Sequence, residues 1–130
     1  MVSRAAPTYG PYQFPDSPIP SAILAAIDGA PAKGEDSAAA HDWLFVDDHV
    51  RALDAILAKG RPGETYDIGT GSVRSASDIA EQVAKLTVRH GRQAFGPKPA
   101  SAAHARQGSV EALVVNAAKL KRETGWRAEE

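Results

Sequence analysis

Cysteine is absent from the 130 residues, which removes disulfides, thiolate metal sites and a cysteine nucleophile, and is compatible with a reducing cytoplasm. Long apolar runs are also missing. The longest, Ala22 to Ile27, is far too short to span a bilayer, and Met1 to Gly10 lacks the apolar core of a signal peptide. Charge of one sign is lacking too: 15 basic residues against 16 acidic ones leave a formal net charge of -1, so no field draws the chain to nucleic acid or an anionic membrane. Aromatics make up only 6% of the residues, so the core must be built from small and aliphatic side chains, and a core this light is marginal in isolation. With 43% hydrophobic and 24% charged residues the composition is that of an ordinary globular protein, expected to be cytoplasmic.

Several chemical motifs are absent as well. Gly-x-Ser-x-Gly does not occur, which sets aside the serine hydrolases built on a nucleophile elbow. Gly69-Thr70-Gly71 is set to cradle a phosphate, but Arg74 stands where a third glycine would fall, and no strand with an acidic end follows about 20 residues on. It reads as a strand-to-helix turn. His41, Asp42, Asp47, Asp48 and His49 form a dense cluster of metal-ligand types; three of them are consecutive, whereas ligands on one helix face need spacings of three or four. Capping of a helix start explains Asp47 and Asp48 better. His90 and His104 read as exposed, and Lys119, Lys121, Arg122 and Arg127 are interspersed with Glu123, Glu129 and Glu130 as on a solvated face.

What is present predicts alternating short strands and helices in a single small domain, with no internal repeat. Five prolines between Pro7 and Pro20 predict extended chain, followed by a helix from about Ser21 with Ile19, Ile23, Leu24 and Ile27 as its stripe and Gly29 as its stop. After a loop over residues 30–40, Trp43 to Val46 reads as a brief strand. It leads into a helix burying Val46, Val50, Leu53 and Leu57 and closed by Lys59 and Gly60. Thr65 to Ile68 predicts a strand. Ser75 and Asp78 have capping-box spacing before a helix carrying Ile79, Val83 and Leu86 and ending near Gly91. Residues 92–108 lack periodicity and predict a long loop. Ala112 to Val115 predicts a strand, Asn116 caps a last helix through Leu120, and Gly125 stops it with Trp126 packing back.

Val2-Ser3-Arg4, the string Tyr9 to Pro15 with Ile19-Pro20, the string Asp42 to Leu53, Pro62 to Gly69, and Gly125-Trp126 stand in the order and approximate spacing of one family. In these stretches the sequence resembles the extended short-chain dehydrogenase/reductase superfamily, and within it the C-terminal part of the dTDP-glucose 4,6-dehydratases. The resemblance implies an α/β chain that is an incomplete C-terminal portion of the fold, a few short strands with about four helices. The strands near Val2 and Tyr66, and the helix from Val46, would belong to the family's cofactor domain.

The family's reaction moves a hydride from sugar C4 to NAD, eliminates water across C5 and C6 and returns the hydride to C6. It therefore needs an acid, a base and the cofactor in one pocket. The family's glycine-rich NAD turn, Tyr-x-x-x-Lys pair and acidic pair lie upstream of the matched part, and Tyr9, Tyr12 and Tyr66 are followed four residues later by Gln13, Asp16 and Thr70. The resemblance accordingly assigns this chain no catalytic, cofactor-binding or metal-binding residue, and no bound cofactor of its own.

Pro31 and Arg106 match the family's substrate-binding positions. Pro7, Ser17, Lys33, His41, Ala76 and Ser109 replace its asparagine, lysine, base-stacking tyrosine, arginine, second asparagine and histidine. Lysine has no π face for a base, and histidine is a poor substitute for a permanently charged, bidentate phosphate donor, so a nucleotide sugar is expected to bind weakly. Three functional readings stay open: a substrate-binding part without activity of its own, one half of a split dehydratase completed by an NAD-binding chain, and a repurposed non-catalytic binding module. Exposed strand edges further predict self-association or pairing with a chain supplying the cofactor half.

Overall fold

The computed structural model describes residues 1–29, 40–89 and 114–129. The chain divides into two compact units: Met1–Pro11 with His41–Val73 and Ala112–Glu130, and Tyr12–Ala40 with Arg74–Glu111. The predicted loop at 92–108 lies outside the described residues. Four helices and six short strands occur among the described residues, in agreement with the expected α/β class.

In the first unit, β1 (Val2–Ala5) pairs in parallel with β5 (Thr65–Ile68), Val2 opposite Thr65 and Ala5 opposite Ile68. The two strands that the resemblance assigns to the cofactor domain pair with each other. A second parallel pair joins β2 (Thr8–Tyr9) to β4 (Leu44–Phe45), with the Tyr9 and Phe45 rings 5.4 Å apart. The remaining strands, β3 (Ala40–Asp42) and β6 (Val73–Ser75), lie where the chain passes between the two units. Trp43 falls between β3 and β4, so the predicted single strand over Trp43 to Val46 is only the two residues Leu44 and Phe45.

Helix α2 (Val46–Lys59) has the predicted extent, ending at Gly60, but a different buried face. Asp48, Ala52 and Ile56 are inside, whereas Val50 and Leu57 are 57% and 75% exposed. The strands admit small Ala52 where a bulkier aliphatic would hold the helix off. The core of this unit is Ala6, Leu44, Ala52, Ile56, Tyr66, Ile68, Leu120 and Trp126.

Helix α4 (Ala118–Thr124) starts after Asn116, whose side-chain oxygen accepts the Ala118 N–H at 2.9 Å, and stops at Gly125 in the left-handed region. Trp126 packs back as expected, its indole N–H donating to the Asp48 carbonyl at 3.1 Å. Val114 and Val115, expected in a strand, are in none.

In the second unit, α1 (Pro18–Asp28) packs on α3 (Ala76–Arg89). Helix α1 begins three residues before the predicted start because prolines in a first turn forgo only N–H groups that have no helical acceptor anyway. It buries Ile19, Ala22 and Ala26; Ile23, Leu24 and Ile27 are exposed. The reciprocal bonds predicted for α3 are formed: the Asp78 N–H donates to Ser75 Oγ at 3.1 Å, and the Ser75 N–H donates to the Asp78 carboxylate at 3.0 Å. Ile79 and Val83 are half-buried and Leu86 is exposed.

Candidate functional site

Strand β5 ends where the chain must turn sharply, and Gly69 allows it: a Cβ there would sit 2.6 Å from both Asp42 Oδ2 and the Cβ of Val115. The turn is fastened by Asp42, whose side chain is fully buried at the end of β3. One carboxylate oxygen accepts the Thr70 N–H at 3.0 Å and the Thr70 hydroxyl at 2.5 Å, and the other accepts the Gly71 N–H at 2.9 Å. Two backbone donors that a phosphate would need are thereby taken by an internal anion, which would also repel one. The chain then continues into β6 before any helix. This turn does not fit the diphosphate of a dinucleotide.

Asp48 and His49 of the acidic and histidine cluster are also engaged. Asp48 is buried, paired with Arg51, and accepts the Glu129 N–H at 3.1 and 3.2 Å. It joins the C-terminal segment to α2, where capping was expected. Glu129 and then Asp48 hold the Arg51 guanidinium more firmly protonated than usual. His49 Nδ1 lies 3.2 Å from the Thr8 hydroxyl, which donates to the Ala6 carbonyl at 3.1 Å; the imidazole N–H is thus the donor of that pair. Among the described residues no three His, Asp or Glu side chains gather as metal ligands.

A further polar cluster, unannounced by the sequence, closes the other end of β5. The Tyr66 hydroxyl accepts the Arg61 N–H at 2.9 Å and donates to Glu123 at 2.9 Å. The Arg61 guanidinium reaches Glu123 at 2.5 Å, Lys119 reaches Glu64 at 2.6 Å, and the Lys119 ammonium sits 4.7 Å from the Tyr66 ring centre. Arg61, then the Tyr66 hydroxyl, pulls the Glu123 carboxyl below its ordinary value, and Lys119 does the same for Glu64. No local spacing signals a network whose bonds to Glu123 and Lys119 join residues 55 to 62 apart.

Of the positions singled out for substrate contact, Pro31, Arg106, Lys33 and Ser109 lie outside the described residues. The other four fall two in each unit. In the first unit, the Pro7 carbonyl accepts the Leu44 N–H at 2.9 Å, and the His41 ring meets Trp43 edge-on at 5.6 Å. In the second, Ser17 precedes α1 and Ala76 opens α3. Tyr12, in the left-handed region at φ 66°, is fully exposed.

The family model of GDP-mannose 4,6 dehydratase matches residues 1–130. The dTDP-glucose 4,6-dehydratase of Xanthomonas campestris pv. campestris is 36% identical over 97% of this chain and 37% of its own length; that of Neisseria meningitidis is 35% identical with the same coverage. Among solved structures, the dTDP-glucose 4,6-dehydratase of Bacillus anthracis in complex with NAD superposes with a TM-score of 0.80 and 32% identity, over 99% of this chain and 39% of that one. The UDP-glucose 4-epimerase of Thermotoga maritima with UDP-glucose gives 0.76 and 25%, over 98% and 40%. The chain thus spans no more than two fifths of the length of these relatives. Matched from its first residue to its last, it belongs to the GDP-mannose 4,6 dehydratase family, with the α/β fold of the extended short-chain dehydrogenases/reductases.

Proposed function

We propose that this chain supplies the nucleotide-sugar-binding portion of a dehydratase of the dTDP-glucose 4,6-dehydratase type and performs no dehydration by itself. The observation that carries this reading is whole-chain similarity to enzymes of which it spans only 37%, so that most of their fold lies elsewhere. The placement of polar groups supports it. Asp42 occupies the N–H groups of the glycine turn, and Tyr66, Glu123, Asp48 and His49 all hold backbone or side-chain partners that fasten the fold. NAD belongs, in this reading, to the portion that the relatives carry and this chain does not span.

Recognition of the sugar nucleotide is weak. The replacements at Lys33 and His41 remove a stacking surface and a guanidinium, which leaves affinity nearer millimolar than micromolar, about 4 to 5 kcal/mol of binding free energy. Equilibrium dialysis of the purified chain against dTDP-glucose, and separately against NAD, tests this. Retention of dTDP-glucose but not NAD, with no sugar turnover, is the expected outcome. Retention of NAD, or turnover by the chain alone, overturns it; retention of neither, in a folded chain, favours a module repurposed for another ligand.

A further inference from the structure

Helix α4 has seven residues, whereas isolated helices shorter than about 12 to 15 residues are marginal in water. Its order therefore depends on what it touches. Leu120 and, just beyond the helix, Trp126 are its apolar anchors in the core of the first unit. The other ties of the helix are polar and cross in charge. Lys119 and Glu123 stand at i and i+4 on one face. Lys119 reaches the Glu64 carboxylate at 2.6 Å and donates to the Thr65 carbonyl at 2.9 Å, whereas Glu123 takes the Arg61 guanidinium at 2.5 Å and the Tyr66 hydroxyl at 2.9 Å.

The chain that follows is held to α2. The Lys59 ammonium donates to the Thr124 carbonyl at 3.1 Å, the Trp126 indole to the Asp48 carbonyl at 3.1 Å, and the Glu129 N–H to the Asp48 carboxylate at 3.1 Å. Arg51 joins Asp48 to the Glu129 side chain. Glu64, Glu123 and Asp48 thus anchor residues 118–129 through charge-assisted bonds, which are about twice as strong as those of a neutral acid. The ladders of β1 with β5 and β2 with β4 join backbone to backbone and do not titrate. Asp42 fastens the turn at the opposite end of β5.

We infer that residues 118–129 are a proton-released strap: on acidification Glu64, Glu123 and Asp48 loosen together, and the strap leaves β5 and α2 as one piece while the strand ladders stay closed. The seat of Leu120 and Trp126 is then uncovered.

The groups facing these carboxylates fix the sign. Glu64 faces Lys119 and Arg61, and Glu123 faces Arg61, Tyr66, Lys119 and Arg122; the two glutamates also repel each other. Asp48 faces Arg51, which Glu129 shares. Lys119 holds the Glu64 carboxyl, and Arg61 the Glu123 carboxyl, below the ordinary value. Their bonds are therefore complete above the unfolded values near about pH 4 and are lost as pH falls through the lower folded ones. The cations keep their charge throughout, so a released strap carries Lys119, Lys121, Arg122 and Arg127 against protonated acids, and their repulsion from Arg61 and Lys59 opposes its return.

Amide-resolved hydrogen exchange of the whole chain, followed by NMR from about pH 6 to about pH 3, tests the inference. Protection of the Lys121, Gly125 and Glu129 amides and of the Trp126 indole should fall at least about tenfold around one shared midpoint. The Ala6 and Leu44 amides, which donate to the Ile68 and Pro7 carbonyls, should change less than about twofold over the same range. Loss of Ala6 and Leu44 protection at that midpoint overturns the inference, because the unit then opens whole. So does a strap still protected at about pH 3, and so do separate midpoints for Lys121 and Glu129. At about pH 7, Lys119→Glu alone should release the strap by the same measure, and Lys119→Glu with Glu64→Lys should restore protection to within about threefold. A double variant as unprotected as the single one, or a single variant as protected as the parent, also overturns it; if Lys119→Glu fails to fold, the series on the parent chain decides.

Discussion

Replacing the fully buried Asp42 by alanine removes the acceptor of the N–H groups of half-buried Thr70 and exposed Gly71, and one of the two acceptors of the Thr70 hydroxyl. A buried donor left without a partner costs about 1 to 3 kcal/mol. Two backbone donors together cost about 2 to 6, and water entering the vacated volume brings the expected loss to about 3 kcal/mol. With a urea m-value near 1 kcal/mol/M for a unit of this size, the midpoint falls by about 3 M. Asp42→Asn keeps one carbonyl acceptor but sets an NH2 group against one of the two N–H donors, so about half that loss is expected.

Trp43 and Trp126 lie in the same unit as Asp42, and their fluorescence reports its unfolding. Hydrogen exchange adds a local reading: the Thr70 and Gly71 amides should lose protection in Asp42→Ala before the β5 amides do. An Asp42→Ala protein within about 0.5 kcal/mol of the parent, with those two amides still protected, refutes the assignment of Asp42 as the fastening of the turn.

Gly69→Ala should destabilise the same unit by about 1 to 3 kcal/mol, since the added methyl meets the Val115 Cβ at 2.6 Å; Gly63→Ala, with open space but φ at 83°, should cost only about 1 kcal/mol, and paired urea titrations separate the two causes. Ser75→Ala breaks the reciprocal cap of α3 and should cost about 1 kcal/mol, read as lost helical circular dichroism at fixed urea. Glu123, Glu64 and Asp78 all titrate below their ordinary values in the folded chain, so their stabilisation is fully present above the unfolded values near about pH 4, and is lost as pH falls through the lower folded ones. The urea midpoint should therefore be flat from about pH 7 to 5 and fall below about pH 4, and salt should shrink the effect because these pairs meet solvent.

Local signals proved readable where one short stretch decides the structure. The Ser75–Asp78 spacing specifies a cap whatever surrounds it, Gly125 ends α4, and Thr65 to Ile68 with its alternating burial forms β5. The faces of the helices were less legible. Both α1 and α2 carry a stripe of large aliphatics and a second face that includes small residues, Ala22 and Ala26 in α1 and Ala52 in α2, and periodicity favours the larger side chains. The fold instead turned those faces inward, Ala22 and Ala26 with Ile19 in α1 and Ala52 with Asp48 and Ile56 in α2, and left Val50 and Leu57 outside.

The parallel pairing of β1 with β5 was also out of reach, because its register depends on residues 63 apart. Of the candidate site, the sequence identified the residue types and the family. The use of Asp42 as an internal anion at the glycine turn required three-dimensional neighbours that no spacing encodes.

The most direct test of the account is an amide-resolved NMR titration of the purified chain with dTDP-glucose and then with NAD. The account predicts weak, saturable shifts with dTDP-glucose at the amides of Lys33, His41 and Arg106, and no response of Thr70 or Gly71 to NAD. Saturable movement of the Thr70 and Gly71 amides by NAD, or a well-dispersed spectrum indifferent to dTDP-glucose, would contradict it.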